Sequence, residues 1–253
     1  MKIFSAISHF AILIGLPMVF CASNLPVSDL ALREEGNPTD PGLQIPDFDG
    51  SGEVEFEGRA FLNGANVSFV GTAERFYNHL LSLNPNYDED FKDIIAAQDA
   101  ETDAELAEMI NDSEKAEFDD FMKGANATSL DKRAHKNFRR QCESDKRGSM
   151  PKPWGYNYRY LKKINAMCKA PAGGCKRTTC RGTSGIWLCN NKDSGEVSVR
   201  CDRVAALSKF AVHGCYHQLP NNGKFAFGVT SAWVQGQKYK VWVERTSTNT
   251  CGE

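Results

Sequence analysis

Cysteine is missing between residues 22 and 133, and acidic residues are scarce after residue 133. Residues 1–133 carry 9 Lys and Arg against 25 Asp and Glu, whereas residues 134–253 carry 21 against 7. The two net charges are therefore −16 and +14, which total the −2 of the whole chain. Each segment repels itself and attracts the other. A near-neutral total thus hides one acidic and one strongly basic segment.

Several catalytic and metal-binding motifs are also missing from the sequence. It has no Gly-rich phosphate loop and no nucleophile elbow. It also lacks the paired C-x-x-C spacing of a zinc site. We therefore predict a protein that is not an enzyme and that holds no metal and no cofactor.

The first residues are typical of a signal peptide. Met1 and Lys2 give a short positive start, a mostly apolar run extends to Phe20, and small residues follow from Cys21 to Ser23. A transmembrane anchor is the alternative. It is disfavoured because a span needs about 20 apolar residues and no basic stop-transfer cluster follows the run. We predict a signal peptide over residues 1–23 and an extracellular, secreted protein.

Eight cysteines lie within the last 120 residues, in a chain directed to an oxidising compartment. This pattern predicts four disulfides of unknown connectivity. Metal ligands or reduced buried thiols are the alternatives. The cysteines are Cys142, Cys168, Cys175, Cys180, Cys189, Cys201, Cys215 and Cys251.

The acidic segment, residues 24–133, is predicted to be a partly helical prosegment. Prolines and glycines predict a linker over residues 24–52. Apolar periodicity predicts a small α/β region over residues 53–124, and small, polar residues predict a cleavage linker over residues 125–133. Alternating apolar residues from Val54 to Phe69, with a turn at Asn63-Gly64, predict a hairpin, and three helical stretches follow. Its glycosylation sequons begin at Asn66, Asn111 and Asn126.

The dibasic pair Lys132-Arg133 lies where charge and cysteine content change. A small, polar run precedes it, as expected of a protease-accessible linker. Leu130-Asp131-Lys132-Arg133 resembles a kexin-type processing site of fungal precursors, which implies a kexin-type protease as a partner. An ordinary solvated charge pair is the alternative. We predict a mature domain over residues 134–253, bound by the prosegment until cleavage.

The mature domain is predicted to be a small disulfide-rich α+β domain with two helices packed on an antiparallel sheet. The first helix, entered after Pro151 and Pro153, is expected to carry an apolar face from Tyr160 to Cys168. The second runs from Asp202 to His213. Strands are expected over residues 185–189 and 196–201, and around Phe225–Val229 and Tyr239–Val243.

Two resemblances concern the cysteine framework. The segments Cys175 to Cys180, Gly185-Ile186-Trp187-Leu188-Cys189-Asn190 and Gly236 to Cys251 resemble small secreted fungal proteins regarded as candidate effectors. That resemblance implies the class of protein, a candidate effector, and its location, outside the cell. It implies no reaction. Cys180-Arg181-Gly182-Thr183-Ser184 and His213-Gly214-Cys215 are similar, more weakly, to the α/β killer toxins of fungi, although Tyr216-His217-Gln218 departs from that family's pattern.

Dense positive charge interleaved with aromatic residues marks residues 139–163 as the candidate binding face. Such a face suits a single-stranded nucleic acid, an acidic polysaccharide or an anionic membrane. The alternative is a solvated basic surface whose aromatic side chains fill the core. The residues that we select are Trp154, Tyr156, Arg159, Lys162 and Lys163.

These features lead us to expect an effector-like protein that binds an unknown protein or anionic surface outside the producing cell. A killer-like toxin acting on competing cells is one alternative. A secreted ribonuclease is another, with an acid/base pair formed by His213 or His217 with Glu196 or Glu244. Exposure of the mature protein to RNA, to target fungal cells and to host tissue would separate the three.

Processing gives the first testable prediction. Secretion from a fungal host with a working kexin should give a product that begins at Ala134, because the polar linker makes Lys132-Arg133 accessible. N-terminal sequencing of the secreted material checks this. A secreted chain that begins only at residues 22–24 would contradict it.

Overall fold

Two antiparallel sheets and five helices make up the described part of the computed structural model, which covers residues 52–110, 137–218, 225–246 and 251. These residues all belong to one compact unit, Gln44–Glu253. In chain order the elements are β1 (Val54–Arg59), β2 (Asn66–Gly71), α1 (Ala73–Leu83), α2 (Tyr87–Asp90), α3 (Lys92–Met109), β3 (Phe138–Ser149), α4 (Pro151–Lys163), β4 (Ala166–Ala170), β5 (Cys175–Arg181), β6 (Ser184–Asn190), β7 (Val197–Arg200), α5 (Cys201–His213), β8 (Tyr216–Gln218), β9 (Phe225–Val234) and β10 (Tyr239–Glu244).

The four-stranded sheet has the order β2-β1-β4-β7. Strand β1 alternates buried and half-buried residues, the period of a strand with one face on the core. It pairs with β2 on one side and with β4 on the other, where Phe56 lies opposite Cys168. A strand from the acidic segment is therefore an interior strand, hydrogen-bonded directly to a strand of the basic segment.

The six-stranded sheet has the order β3-β9-β10-β6-β5, with β8 paired to β9. Every residue of β6 and β10 is buried, as expected of central strands that are covered on both faces. Trp187 of β6 lies opposite Trp242 of β10. Gly185 leaves room for the Trp187 indole, because a Cβ at that position would overlap the ring. The segment Gly185 to Asn190 thus lies in an interior strand of this sheet.

One hydrophobic core joins the two halves of the sequence. Phe56, Phe76 and Phe91 from the acidic segment belong to the same buried cluster as Trp154 and Leu161 from the basic segment. Burying each large apolar side chain contributes about 1.5–3 kcal/mol to folding. Both segments therefore depend on a core that neither one forms from its described residues alone.

Four disulfides pair all eight predicted cysteines, so that prediction is confirmed. Cys142–Cys215 links β3 to the end of α5, and Cys168–Cys201 links β4 to the start of α5. Cys175–Cys189 joins neighbouring strands, and Cys180–Cys251 ties β5 to the C-terminal end of the chain. Residues 52–110, the described part of the acidic segment, take part in none of them.

The α+β class is confirmed, and the prediction of a single antiparallel sheet is replaced by two antiparallel sheets. The second predicted helix, the β1–β2 hairpin and the later strands lie where the sequence placed them. Phe61 lies in the hairpin turn, half exposed, rather than in a strand.

The first predicted helix of the mature domain was placed wrongly. Helix α4 begins at Pro151, a position that tolerates proline because its missing N–H would have no partner there. It ends at Lys163, and Cys168 lies in β4, where burial alternates residue by residue. The apolar face assigned to one helix is therefore shared between a helix and a strand.

Replacing the buried Leu161 by Ala should lower the free energy of unfolding by about 2–5 kcal/mol, because it leaves a cavity in the shared core. Leu83→Ala is the matched control, since Leu83 is 42% exposed at the end of α1 and its replacement should lower the free energy of unfolding by much less than that of Leu161. Urea unfolding of both variants measures this. Equal losses would contradict the assignment of Leu161 to the core.

Candidate functional site

Helix α4 has one buried face and one cationic face. Trp154, Asn157 and Leu161 are its buried residues, at the three- and four-residue spacing of a face directed to the core. Exposed Lys152, Arg159 and Lys163, together with half-buried Tyr156, follow the same spacing on another side. We call these four residues the α4 cationic stripe. Helical periodicity thus separates the core-packing residues from the exposed positive charges.

Tyr156 lies at the centre of the stripe, close to two guanidinium groups. The Arg159 and Arg181 guanidinium carbons each lie 4.6 Å from the centroid of its ring. At this range the ring attracts a cation. Nη1 of Arg181, which comes from β5, also donates to Glu74 Oε1 at 3.0 Å. Arg159 forms no ion pair within the described ranges, so its charge is available to an external anion.

Lys163, near the end of the stripe, lies 5.1 Å from the centroid of the Tyr77 ring. Tyr77 in turn lies 5.8 Å from the ring of half-buried Tyr160. Burial raises the pKa of Tyr160, and the neighbouring Glu74 carboxylate raises it further. The aromatic groups beside the stripe are therefore neutral around pH 7, and its net charge comes from its lysines and arginine.

Lys162 lies apart from the stripe. Its ammonium group contacts Asp99 at 3.0 Å and Asp103 at 3.2 Å, and its side chain is only 11% exposed. Burial opposes its charge, but Tyr158 and the two carboxylates raise its pKa overall. Of the five predicted binding residues, the structure brings Tyr156, Arg159 and Lys163 together on the exposed stripe. It places Trp154 in the core and Lys162 against α3.

Basic side chains of the C-terminal segment pair repeatedly with carboxylates of the acidic segment. Arg200 Nη1 lies 2.6 Å from Glu101 Oε2, and Arg203 Nη2 lies 3.4 Å from Glu105 Oε1. The six cations that make such pairs within the described residues are Lys162, Lys169, Arg177, Arg181, Arg200 and Arg203. The acidic segment thus pairs with these six cations, and the stripe keeps its exposed cations.

Two of these carboxylates have perturbed ionisation. The Lys169 ammonium and the Asn66 amide hydrogen-bond the Glu57 carboxylate and lower its pKa. Arg200 lowers the pKa of Glu101 in the same way, by hydrogen bonding and by its charge. Both carboxylates are therefore more readily ionised when the two segments are in contact.

Sequence reasoning omitted Arg181 and Lys152 from the candidate site. Arg181 reaches Tyr156 from β5, and no sequence spacing reports a contact between two separate elements. Lys152 belongs to the basic cluster and was not selected, although its four-residue spacing to Tyr156 was visible once a helix beginning at Pro151 was assumed.

The remaining predicted sites fall in different places. Asn66 is exposed at the start of β2, and its Nδ2 donates to Glu57 Oε1 at 2.6 Å. Asn111, Asn126, Lys132 and Arg133 lie outside the described residues.

The residues considered for ribonuclease chemistry are also dispersed. His213 and Glu244 are buried, at 1% and 3% exposure. Glu196 is exposed, and its carboxylate lies 3.8 Å from Lys169. The side chain of His217 lies outside the described part. No accessible acid/base pair is formed by these residues where the structure describes them.

A groove of about 480 Å³ separates α3 from the four-stranded sheet. Its charged side chains already have partners. Arg59 donates to Asn66 Oδ1 at 3.2 Å, Glu57 pairs with Lys169, and Arg200 pairs with Asp202 and Glu101. The groove is therefore a weaker candidate for an anion-binding site than the stripe.

No protein-family model, curated protein or solved structure matches the chain. Within residues 52–110, 137–218, 225–246 and 251, no helix is long and apolar enough to span a bilayer. The same residues contain no cluster of three His, Cys, Asp or Glu side chains suited to a metal ion.

The perturbed carboxylates predict acid sensitivity. A carboxylate whose pKa is lowered by folding stabilises the folded state above its unfolded pKa of about 4.3, and this contribution is lost as the pH falls through the folded value. The melting temperature should therefore decrease as the pH falls below about 4.3, by a small amount because both carboxylates are at least partly exposed to solvent. In Glu57→Gln/Glu101→Gln it should be lower at pH 7 and should converge with wild type in acid.

Melting curves between pH 7 and pH 3 measure this effect. Glu108→Gln is the control, since Glu108 is exposed and makes no ion pair within the described residues. Parallel curves for wild type and the double variant would contradict the prediction.

Proposed function

We propose that this chain is the precursor of a secreted, effector-like binding protein. In this proposal a kexin-type protease cleaves after Arg133. The product then binds an anionic target outside the producing cell through the α4 cationic stripe, without catalysis. The observation that carries the proposal is the exposed charge of Arg159, which forms no ion pair within the described residues and lies beside Tyr156.

The dimensions of the stripe favour an extended anionic target. Lys152 and Lys163 are separated by three turns of helix, which corresponds to about 16 Å at 1.5 Å per residue. A single small anion would contact only one cation at that spacing. A polyanionic chain or an anionic surface can contact all three cations of the stripe, Lys152, Arg159 and Lys163.

Tyr156 adds a planar group to this charge. An aromatic side chain beside cations is the combination with which proteins hold sugar–phosphate or sulfated chains and stack planar groups. Arg159 and Arg181 lie near the ring, and Glu74 holds Arg181 in place. The Arg181 guanidinium is thus held near the ring before any target binds, which reduces the entropy lost on binding.

The acidic segment lowers the positive potential on the side of the basic segment that it contacts. Exposed cations elsewhere on the basic segment would attract any anion without preference. Because Lys162, Lys169 and Arg200 already face carboxylates, their fields are largely cancelled at a distance. The acidic segment therefore supports selectivity as well as solubility.

Reversing the charge of the stripe tests the proposal. Arg159→Glu/Lys163→Glu should stay folded, because both side chains are exposed, and should bind a sulfated polysaccharide at least about tenfold more weakly at 0.1 M salt. Single-stranded RNA and anionic vesicles are measured in parallel to identify the class of target. Raising the salt concentration should weaken wild-type binding.

Lys192→Glu/Lys238→Glu is the matched control, because it makes the same change in net charge at exposed positions away from α4. Circular dichroism establishes that each variant is folded. If the stripe variant and the control lose the same affinity, or if neither loses any, the stripe is not the binding site.

A further inference from the structure

The disulfides join only residues that follow residue 133. All four disulfides join residues of the basic segment, from Cys142 to Cys251. Residues 52–110 are thus connected to them only through the polypeptide chain between residues 110 and 137. A cut after Arg133 would remove that connection, so only non-covalent contacts would hold the two products together.

Those contacts begin with a shared sheet. Strand β1 pairs antiparallel with β4 over Glu55–Gly58, with Phe56 opposite Cys168 and Gly58 opposite Ala166. Gly58 is required by this approach, because a Cβ would come within 3.0 Å of both the Asn165 carbonyl oxygen and the Ala166 side chain. Departure of the segment would leave the backbone groups of β4 unpaired along one edge. An open strand edge of this kind can pair with other chains, a liability that folded proteins avoid.

Aromatic side chains continue the contact beyond the sheet. Tyr87 is fully buried, and its hydroxyl oxygen accepts a hydrogen bond from the Asn165 backbone N–H at 2.9 Å. Burial raises its pKa to about 12. Phe91 stacks on Tyr87, with ring centroids 4.6 Å apart, and is itself buried. These rings would be exposed on one product if the two separated.

Polar contacts from α3 surround this apolar centre. Gln98 Nε2 donates to Asn165 Oδ1 at 2.8 Å, and Lys162 donates to Thr102 Oγ1 at 3.3 Å. The ion pairs of Arg200 and Arg203 with α3 lie along the same helix. The interface therefore combines strand pairing, a buried apolar centre and a charged rim, the arrangement found in stable protein interfaces.

We propose that residues 52–110 remain bound to the disulfide-bonded chain after cleavage, as a permanent non-covalent subunit of the mature protein. This inference rests on the processing step of the proposed function. It assigns to the acidic segment a structural role that persists after secretion. The active form is accordingly a two-chain protein in which the acidic chain completes one sheet and the core.

The experiment uses the full secreted chain with the recognition sequence of an unrelated protease inserted after Arg133. The cut is therefore made whether or not a kexin-type protease acts at this site. After cutting, size-exclusion chromatography at 0.15 M and 1 M NaCl should give one peak that contains both chains. Association should survive 1 M NaCl, because strand pairing and apolar burial are not screened by salt. In urea without reductant the chains should separate, because no disulfide joins them.

Elution of a folded, monomeric basic chain without its acidic partner at 0.15 M NaCl would overturn the proposal. Separation only at 1 M NaCl would also overturn it, since it would show that charge alone holds the chains. The charge-reversal test measures binding of an anion and this test measures association of the two chains, so the failure of one proposal can be distinguished from the failure of the other.

Two variants in the same hairpin provide the matched comparison. Phe56→Ala removes a buried side chain from β1, whereas Val70→Ala changes a residue of β2 that is 63% exposed. The cut Phe56→Ala protein should lose its acidic chain at least tenfold faster during dilution than the cut Val70→Ala protein. Equal rates would contradict a role for the buried centre. Circular dichroism of each uncut variant establishes that it folds before the cut is made.

Discussion

Pairing between β1 and β4 is the interaction on which the rest of the structure depends. The acidic segment supplies an interior strand of the four-stranded sheet, with β2 on its other side. This pairing fixes the register that brings Phe56 into the common core beside Cys168. It also sets the position of α3, whose carboxylates face Lys162 and Arg200. A core composed of both segments follows directly from that one strand.

The opposite charges of the two segments contribute less to stability than the apolar core that the segments share. Exposed ion pairs each contribute little to stability, because water and salt screen them. Their number and arrangement matter more for specificity, since the acidic helix matches cations on α4, β7 and α5. Charge complementarity therefore orients the acidic segment, while apolar burial and strand pairing hold it.

The same arrangement determines which cations of α4 remain exposed. A segment with net charge +14 would present cations in every direction if it stood alone. In the folded chain the acidic segment covers one side, and the exposed side of α4 retains Lys152, Arg159 and Lys163. Arg181 extends this surface because Glu74, again from the acidic segment, holds it near Tyr156. In the proposed function, recognition of an anion would thus depend in part on the acidic segment, although that segment and the anion carry charge of the same sign.

Local patterns were sufficient for part of the fold. Eight cysteines in a chain with a signal-peptide pattern predicted four bridges, and alternating apolar residues predicted the hairpin and the strands around Trp187 and Val241. The α5 helix followed from its 3.6-residue periodicity. These features depend on neighbours in the sequence, which is why they could be predicted. Placement of α4 failed because Tyr160 to Cys168 reads as one helical face, although the chain changes from helix to strand at Ile164.

The sequence by itself determined the charge border, the number of disulfides and the α+β class, since each is a property of composition or local periodicity. Only the tertiary structure decided that β1 joins β4, that Lys162 faces Asp99 and Asp103, and that Arg181 meets Tyr156. Those contacts join residues far apart in the chain. They are selected by the packing of a common core, which no pattern along a single segment encodes.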